Sequence, residues 1–287
     1  MPEVHVAEGT DWVAPTQERS ERGSDASGSP EGAWDVTTAS YASDAVDTSS
    51  HTSGTRAIDF RPDGMRFYIV GRATQNVAEY HLSTAWDLST AAYEREYSTA
   101  NIGSVTHGVR FRDDGARMWV VNRTVVIQYD LMTPWDVTTS WQSGSQSLEP
   151  TIQRGHDLDL RPDGSMFFID DRFNEEVYKY NLSTSWDIET ASHATTLDIS
   201  SRHDQVRGIE FRPNGNRMFL LDTGLQEVQQ FNLSTPWDIT TASLVDWFDV
   251  STQSSDPRGL AFGGDGMHMY VVDSTTSVVH RYALGGN

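Results

Sequence analysis

Residues 181–190 read NLSTSWDIET and residues 232–241 read NLSTPWDITT. The Trp-Asp pair at the centre of the phrase occurs at Trp34-Asp35, Trp86-Asp87, Trp135-Asp136, Trp186-Asp187 and Trp237-Asp238, in steps of 52, 49, 51 and 51 residues. A second landmark runs in phase with it: FRPDG at 60–64, FRDDG at 111–115, LRPDG at 160–164, FRPNG at 211–215 and FGGDG at 262–266. Five copies with two in-phase landmarks establish five repeats. A period of this size marks a supersecondary unit that buries its apolar face only by stacking on its neighbours.

Each repeat reads as four strands. TRAIDF (55–60) alternates, Pro-Asp-Gly makes a tight turn, and RFYIV (66–70) is apolar on both faces, as a strand buried between neighbours should be. NVAEYHL (76–82) is the third strand, and the Trp-Asp phrase leads into a more polar fourth, AAYEREYST (91–99). Four short antiparallel strands per repeat predict an all-β fold, a five-bladed β-propeller. No segment holds a 3.6-residue period, so helices should be nearly absent.

The phase of the repeats predicts how the ring closes. The first Trp-Asp, in AWDVTTASY (33–41), precedes any Pro-Asp-Gly hairpin, while the last hairpin, GLAFGGDGMHMYVV, is followed only by a third strand, SVVHRYAL. The N-terminal strand, about 36–47, should supply the missing fourth strand of the last blade, which removes free sheet edges. The domain division is then a flexible arm over 1–33 and the propeller over 34–287. The arm has an apolar-tinged head, VHVAEGTDWVAP, and a Ser/Gly/charge-rich linker, TQERSERGSDASGSPEG (16–32).

Composition narrows the function classes. The 287-residue chain carries 41 acidic against 21 basic side chains, a formal charge of −20. Such a surface repels nucleic acid and anionic membrane, so neither is an expected partner; it also suits a salty medium. With no cysteine, disulfides and thiolate zinc sites are excluded. No apolar run approaches the length of a membrane span, and no secretory signal pattern is visible at the start.

Trp34, Trp86, Trp135, Trp186 and Trp237 read as fillers between adjacent blades near the outer turn. Asp35, Asp87, Asp136, Asp187 and Asp238 read as Asx-turn acceptors for backbone N–H groups two or three residues on. The glycosylation patterns at Asn181 and Asn232 follow from the same phrase and are discounted.

The candidate ligand site comes from pairing the first two strands about the turn. Phe60 should face Phe67 and Ile58 face Ile69, which sets Arg56 against Gly71, His107 against Asn122, His156 against Asp171, Arg207 against Asp222 and Arg258 against Asp273. These pairs should ring one mouth of the central channel, thickened by Arg72, Arg123 and Arg172. The ring reads either as an anion or sugar site or as structural Arg–Asp pairs. Asp157 and Asp159 read as ordinary strand alternation. A His107/His156/Asp171 metal cluster is conceivable, but no spaced metal-ligand motif, nucleophile elbow or phosphate loop is present, so the expectation is no enzyme, no metal and no cofactor.

The hairpin F-R-P-D-G-x-x-M-Y-V-V resembles that of lactonase-like and surface-layer propellers. The fuller phrase Y-x-L-S-T-x-W-D-x-T-T-A-S is similar to repeats of tailed-phage structural proteins and marine bacterial proteins. That resemblance implies a non-enzymatic virion component: a capsid or tail decoration or fibre, assembled in the host cytoplasm. It would be held to other virion proteins through the arm, with host-surface glycans as a further ligand and a homo-oligomer on the particle as an expected form. The alternative is a glycosidase- or lactonase-like enzyme or small-ligand binder at the Arg/His mouth.

Overall fold

In the computed structural model, residues 32–102 and 105–285 are described. They form five four-stranded antiparallel sheets arranged as a five-bladed propeller. Blade 1 runs from Thr55–Phe60 to Ala91–Ser98, blade 2 from Val109–Phe111 to Ser140–Ser147 and blade 3 from Gly155–Leu160 to Ala191–Asp198. Blade 4 runs from Val206–Phe211 to Ala242–Asp249. Blade 5 begins with Pro257–Phe262, His268–Asp273 and Val278–Ala283, and its outermost strand is Ser40–Asp47 from the other end of the chain. Ring closure therefore follows the expected route, with Val36–Thr38 as a 3-10 turn ahead of the strand. The two ends are also tied directly, because Gly285 N–H donates to Thr38 Oγ1 at 2.8 Å. The arm expected over 1–33 lies outside the described residues up to residue 31. Gly32 and Ala33 belong to the propeller, with Ala33 buried and the Gly32 carbonyl accepting from Asp35 N–H.

Past a half-buried first residue, the second strand of each blade is buried, save for Asn122 at the end of the blade 2 strand, which is why RFYIV and its counterparts carry no outward polar row. The outermost strands alternate exposed and half-buried residues. Buried side chains gather into apolar clusters that each join two adjacent blades, such as Tyr68 and Val70 with Val109 and Val120. The driving force is this inter-blade burial, worth roughly 25 cal/mol per Å² of apolar surface removed from water.

Two irregularities in the repeat spacing have structural causes. The long first step contains an extra residue in the closing strand, where the register shifts between Tyr41 and Asp44 and Ser43 takes φ 55°. The short second step falls in blade 2, where Asn122 pairs with Val125 across a two-residue turn and Arg123 takes φ 51°. The other blades span four residues there, as in Gly71↔Asn76.

The Trp-Asp phrase is a joint of fixed construction. Each Trp N–H donates to the carbonyl of the hairpin glycine, as in Trp86 to Gly64 at 3.0 Å and Trp34 to Gly266 at 2.8 Å. The glycine has positive φ, and its missing side chain makes room for the indole: a Cβ on Gly64 would lie 2.3 Å from the Trp86 ring. Each Asp accepts from the N–H two residues on, such as Thr138 to Asp136 at 3.0 Å. The Trp carbonyl is then reached from the preceding blade, by Tyr68 at Trp135, Arg117 at Trp186 and Lys179 at Trp237.

Candidate functional site

The predicted pairing of the two inner strands holds at Ile58↔Ile69 and Phe60↔Phe67 and fails beyond them. The actual partners at the far end are Thr55↔Gly71, Gly155↔Asp171, Val206↔Asp222 and Pro257↔Asp273. A β-bulge intervenes in each of these blades, and Arg56, His156, Arg207 and Arg258 are its surplus residues. In blade 2, His107 N–H donates to Val121 O, and Asn122 pairs with Val125. The bulges arise where inner strands crowd the axis. A Cβ on Gly108 would lie 2.7 Å from His156 O, and one on Gly259 2.9 Å from Arg56 O. A bulged residue leaves the ladder and its side chain is re-aimed.

The expected Arg–Asp pairs are therefore not what these residues form. Asp171, Asp222 and Asp273 are loop clamps. Asp171 accepts from the backbone N–H groups of Gln153, Arg154 and Phe173 at 2.6, 3.1 and 2.8 Å. Asp222 does the same for Asp204, Gln205, Gly224 and Leu225. Asp273 takes the Ser254 hydroxyl and the N–H groups of Ser255, Asp256 and Thr276. Burial opposes ionisation of Asp273, but these donors hold it at about 2. Arg258 pairs instead with Asp256, at 2.8 and 2.9 Å.

The cationic side chains do converge. A cavity of about 280 Å³ at this end of the channel is lined by Arg56 and Arg72 of blade 1 and by His107 and Arg123 of blade 2. Blade 3 adds Arg154, His156 and Arg172, and blade 5 adds Arg258. His107 and His156 lie edge to face, 4.4 Å between ring centroids. Arg207 is buried against the same group, with Arg172, Asp256 and Arg56 as its charged neighbours. Arg154 had no signal in the pairing scheme, because it precedes its inner strand.

The mouth has more positive charge than its own acids balance. Burial, then the neighbouring Arg72, lowers Arg56 to about 10; burial, then Arg172, does the same to Arg207. Both guanidinium groups still carry a charge at neutral pH. Burial, reinforced by Arg56 and Arg123, pushes His107 down to about 3, and burial with His107 and Arg207 drives His156 well below its ordinary value. Both imidazoles are neutral at pH 7. Among the described residues, Nε and Nη1 of Arg56 and of Arg207, and Nδ1 of His107, are buried without a hydrogen-bond partner. Buried donors left this way are costly, about 1–3 kcal/mol each.

Beneath the mouth the axis is filled by a charge cluster that strand alternation alone does not reveal. Arg110, 2% exposed, donates to Glu210 at 2.7 Å, Asp59 at 3.3 Å and the carbonyls of Leu158 and Ile209. Asp157 and Asp159 stand at 3.9 and 3.7 Å from its guanidinium. They are members of this cluster rather than plain strand alternation. Burial raises Asp157 to about 8 against the pull of Arg110. One arginine thus ties blades 1, 2, 3 and 4 together at the axis. No group of three or more His, Cys, Asp or Glu among the described residues is disposed to hold a metal ion, so His107, His156 and Asp171 do not assemble as one.

No protein-family model and no characterised protein sequence matches the chain. Solved structures match in fold at low identity. A protein from Lactobacillus plantarum is 13% identical over 79% of this chain and 67% of its own, with a TM-score of 0.50. A putative 6-phosphogluconolactonase from Bacteroides uniformis is 14% identical over 77% of this chain, with a TM-score of 0.48. The present chain spans 64% of that protein's length. The β-propeller domain of Cps50 (Swd1) from Myceliophteria thermophila is 9% identical over 80% of this chain and 69% of its own, with a TM-score of 0.45. These likenesses concern the propeller fold alone.

Proposed function

We propose that the propeller is a binding module that holds a small, multiply charged anion in the Arg/His mouth. The observation that carries this reading is the convergence of six arginines, Arg56, Arg72, Arg123, Arg154, Arg172 and Arg258, on one cavity, with buried N–H groups of Arg56 and of the adjacent Arg207 left without partners, in a protein of charge −20. A ring built for architecture would match each cation with a carboxylate; here the Asp residues of Asp171, Asp222 and Asp273 are spent on backbone N–H groups. An anion with several oxygens would satisfy the free donors and relieve the mutual repulsion of the arginines. Arginine suits this task because its planar fork meets oxyanions bidentately. Asp256, a carboxylate beside the cluster, is bound by Arg258.

Calorimetric titration of the full chain with pyrophosphate, sulfate and citrate tests the reading. Binding should weaken with added salt, and Arg56→Gln should reduce pyrophosphate affinity about tenfold or more, the loss of one charged hydrogen-bonding group. Absence of binding by all three anions at low salt overturns it.

The second reading, display of the propeller on a phage particle, is favoured by the similarity of the repeated Trp-Asp phrase to phage structural repeats. It is compatible with the first, because display concerns anchoring and the mouth concerns ligand. Deleting residues 1–31 should abolish incorporation into particles and leave the propeller folded; truncated protein that still incorporates removes the anchoring role.

A further inference from the structure

Around the rim of the mouth, the loop after the second strand differs from blade to blade. At the second position after the strand it offers Ala73 in blade 1, Thr124 in blade 2, Gly224 in blade 4 and Thr275 in blade 5. Blade 3 alone has an aromatic ring there. Phe173 is 58% exposed, and the Arg154 guanidinium lies 5.7 Å from its ring centroid. A lone exposed phenylalanine is unremarkable on a protein surface. Three observations set this one apart. Its neighbours Arg172 and Arg154 both line the anion cavity. Its backbone N–H is held by Asp171 at 2.8 Å, and the same carboxylate holds the Arg154 backbone N–H, so the two backbones that carry ring and guanidinium are tied to one clamp. Asn174, the next residue, is anchored to Asp171 and to Tyr178 Oη at 3.2 and 2.9 Å, which steadies the loop from its other side.

Resting on the anion-binding reading, we infer that the ligand is a nucleotide, with its phosphates in the arginine-lined cavity and its base stacked at the rim on Phe173 and the Arg154 guanidinium. The cavity is lined by six arginines and two imidazoles, with no aliphatic side chain among them, so it suits phosphate oxygens better than a base. A planar ring attached to those phosphates would then stand outside it, at the rim, where the loop after the second strand of blade 3 offers the face of Phe173. Stacking on phenylalanine and on a guanidinium plane is sequence-tolerant, since every base has a π-face. The overall charge of −20 disfavours long nucleic acid, and a single nucleotide meets only the local field of the mouth.

Calorimetric titration of the full chain, without added metal, with pyrophosphate, ADP and ribose 5-phosphate tests this. ADP should bind about tenfold more tightly than pyrophosphate, as one stacked base contributes. Phe173→Ala, at an exposed position that leaves the core intact, should erase that difference while leaving pyrophosphate affinity unchanged. Phe173→Tyr should retain it. If pyrophosphate binds but ADP binds no more tightly, or Phe173→Ala weakens both equally, the nucleotide assignment is wrong and the anion site stands. Ribose 5-phosphate binding as tightly as ADP also overturns the base contact. If none of the three binds, the anion reading itself fails.

Discussion

The two ends of the central channel are built on opposite plans. At the hairpin end, five Trp-Asp joints repeat the same contacts: a Trp at φ between 60° and 69°, a hairpin glycine with no room for a Cβ, and an Asp capping the 3-10 turn. At the other end, the five blades present Arg56, His107, His156, Arg207 and Arg258, and the flanking loops differ in length, charge and aromatic content. The joints make the same backbone hydrogen bonds within the protein in each blade, whereas at the mouth Nε and Nη1 of Arg56 and Arg207 are buried without a partner. Regularity is what stacking demands, because each blade must fit the next in the same way. Departure from it is where the molecule faces something other than itself.

The sharpest way to break this contrast is to damage one end and read both. Trp237 is 7% exposed and stacks on Phe211 at 5.4 Å and on Phe168 of the preceding blade at 6.0 Å. Trp237→Ala should lower the free energy of unfolding by about 4 kcal/mol, as large aromatic truncations in a packed site do. Urea unfolding measures this, and pyrophosphate affinity of the folded variant should be unchanged. A joint variant that keeps its stability but loses the anion would dissolve the division of labour.

A smaller effect distinguishes the mouth from the cluster directly below it, through two residues adjacent in the chain. His156 is neutral because burial depresses it, and His107 is held at about 3. The unfolded chain takes up protons at these imidazoles near pH 6.5 and the native one does not, so their contribution is complete above that pH. It is lost as pH falls toward 3. Asp157 is raised to about 8, so its contribution is complete below the unfolded carboxylate value near 4 and is lost as pH rises toward 8. Relative to wild type, His107→Asn with His156→Asn should gain stability on acidification from pH 6.5, on the order of 1 kcal/mol per pH unit. Asp157→Asn should gain it in the reverse direction, from pH 4 upward. Parallel pH profiles for the two variants would show that mouth and cluster are one electrostatic unit.

The sequence carried the regular end in full and the irregular end in part. Blade number, strand order and closure by the N-terminal strand follow from two landmarks in phase, because stacking imposes a period and a period is visible without coordinates. The cations of the mouth were visible too, as the residues that vary at one position of the repeat. Their partners were not. Simple pairing outward from Leu260↔Val271 carries Arg258 onto Asp273, but the bulge inserts one residue and Pro257 takes that place. The signal for it was present in the small residues Ala57, Gly108, Gly208 and Gly259, which mark crowding at the axis. Arg110 escaped notice for a different reason: its counterparts are Asp59, Asp159, Glu210 and Ala261, so its meaning lies in what surrounds it across the ring and not along the strand.

The finest test of the contrast asks whether the mouth is held at a cost to stability. Arg56 and Arg207 are lowered to about 10 by burial and by neighbouring arginines, so both charged groups are disfavoured in the native state of the free protein. The sign is plain: unfolding relaxes the repulsion, and removing one charge relaxes it without unfolding. Arg56→Gln should therefore unfold at equal or slightly higher urea concentration than wild type, a gain of about 1 kcal/mol or less after solvent screening of a half-buried group. Added salt should raise wild-type stability more than that of the variant, since screening acts on repulsion that the variant has partly lost. A structural ion-pair ring would give the opposite result in both measurements: removal of Arg56 would strand a carboxylate, lower stability, and leave salt with less attraction to weaken.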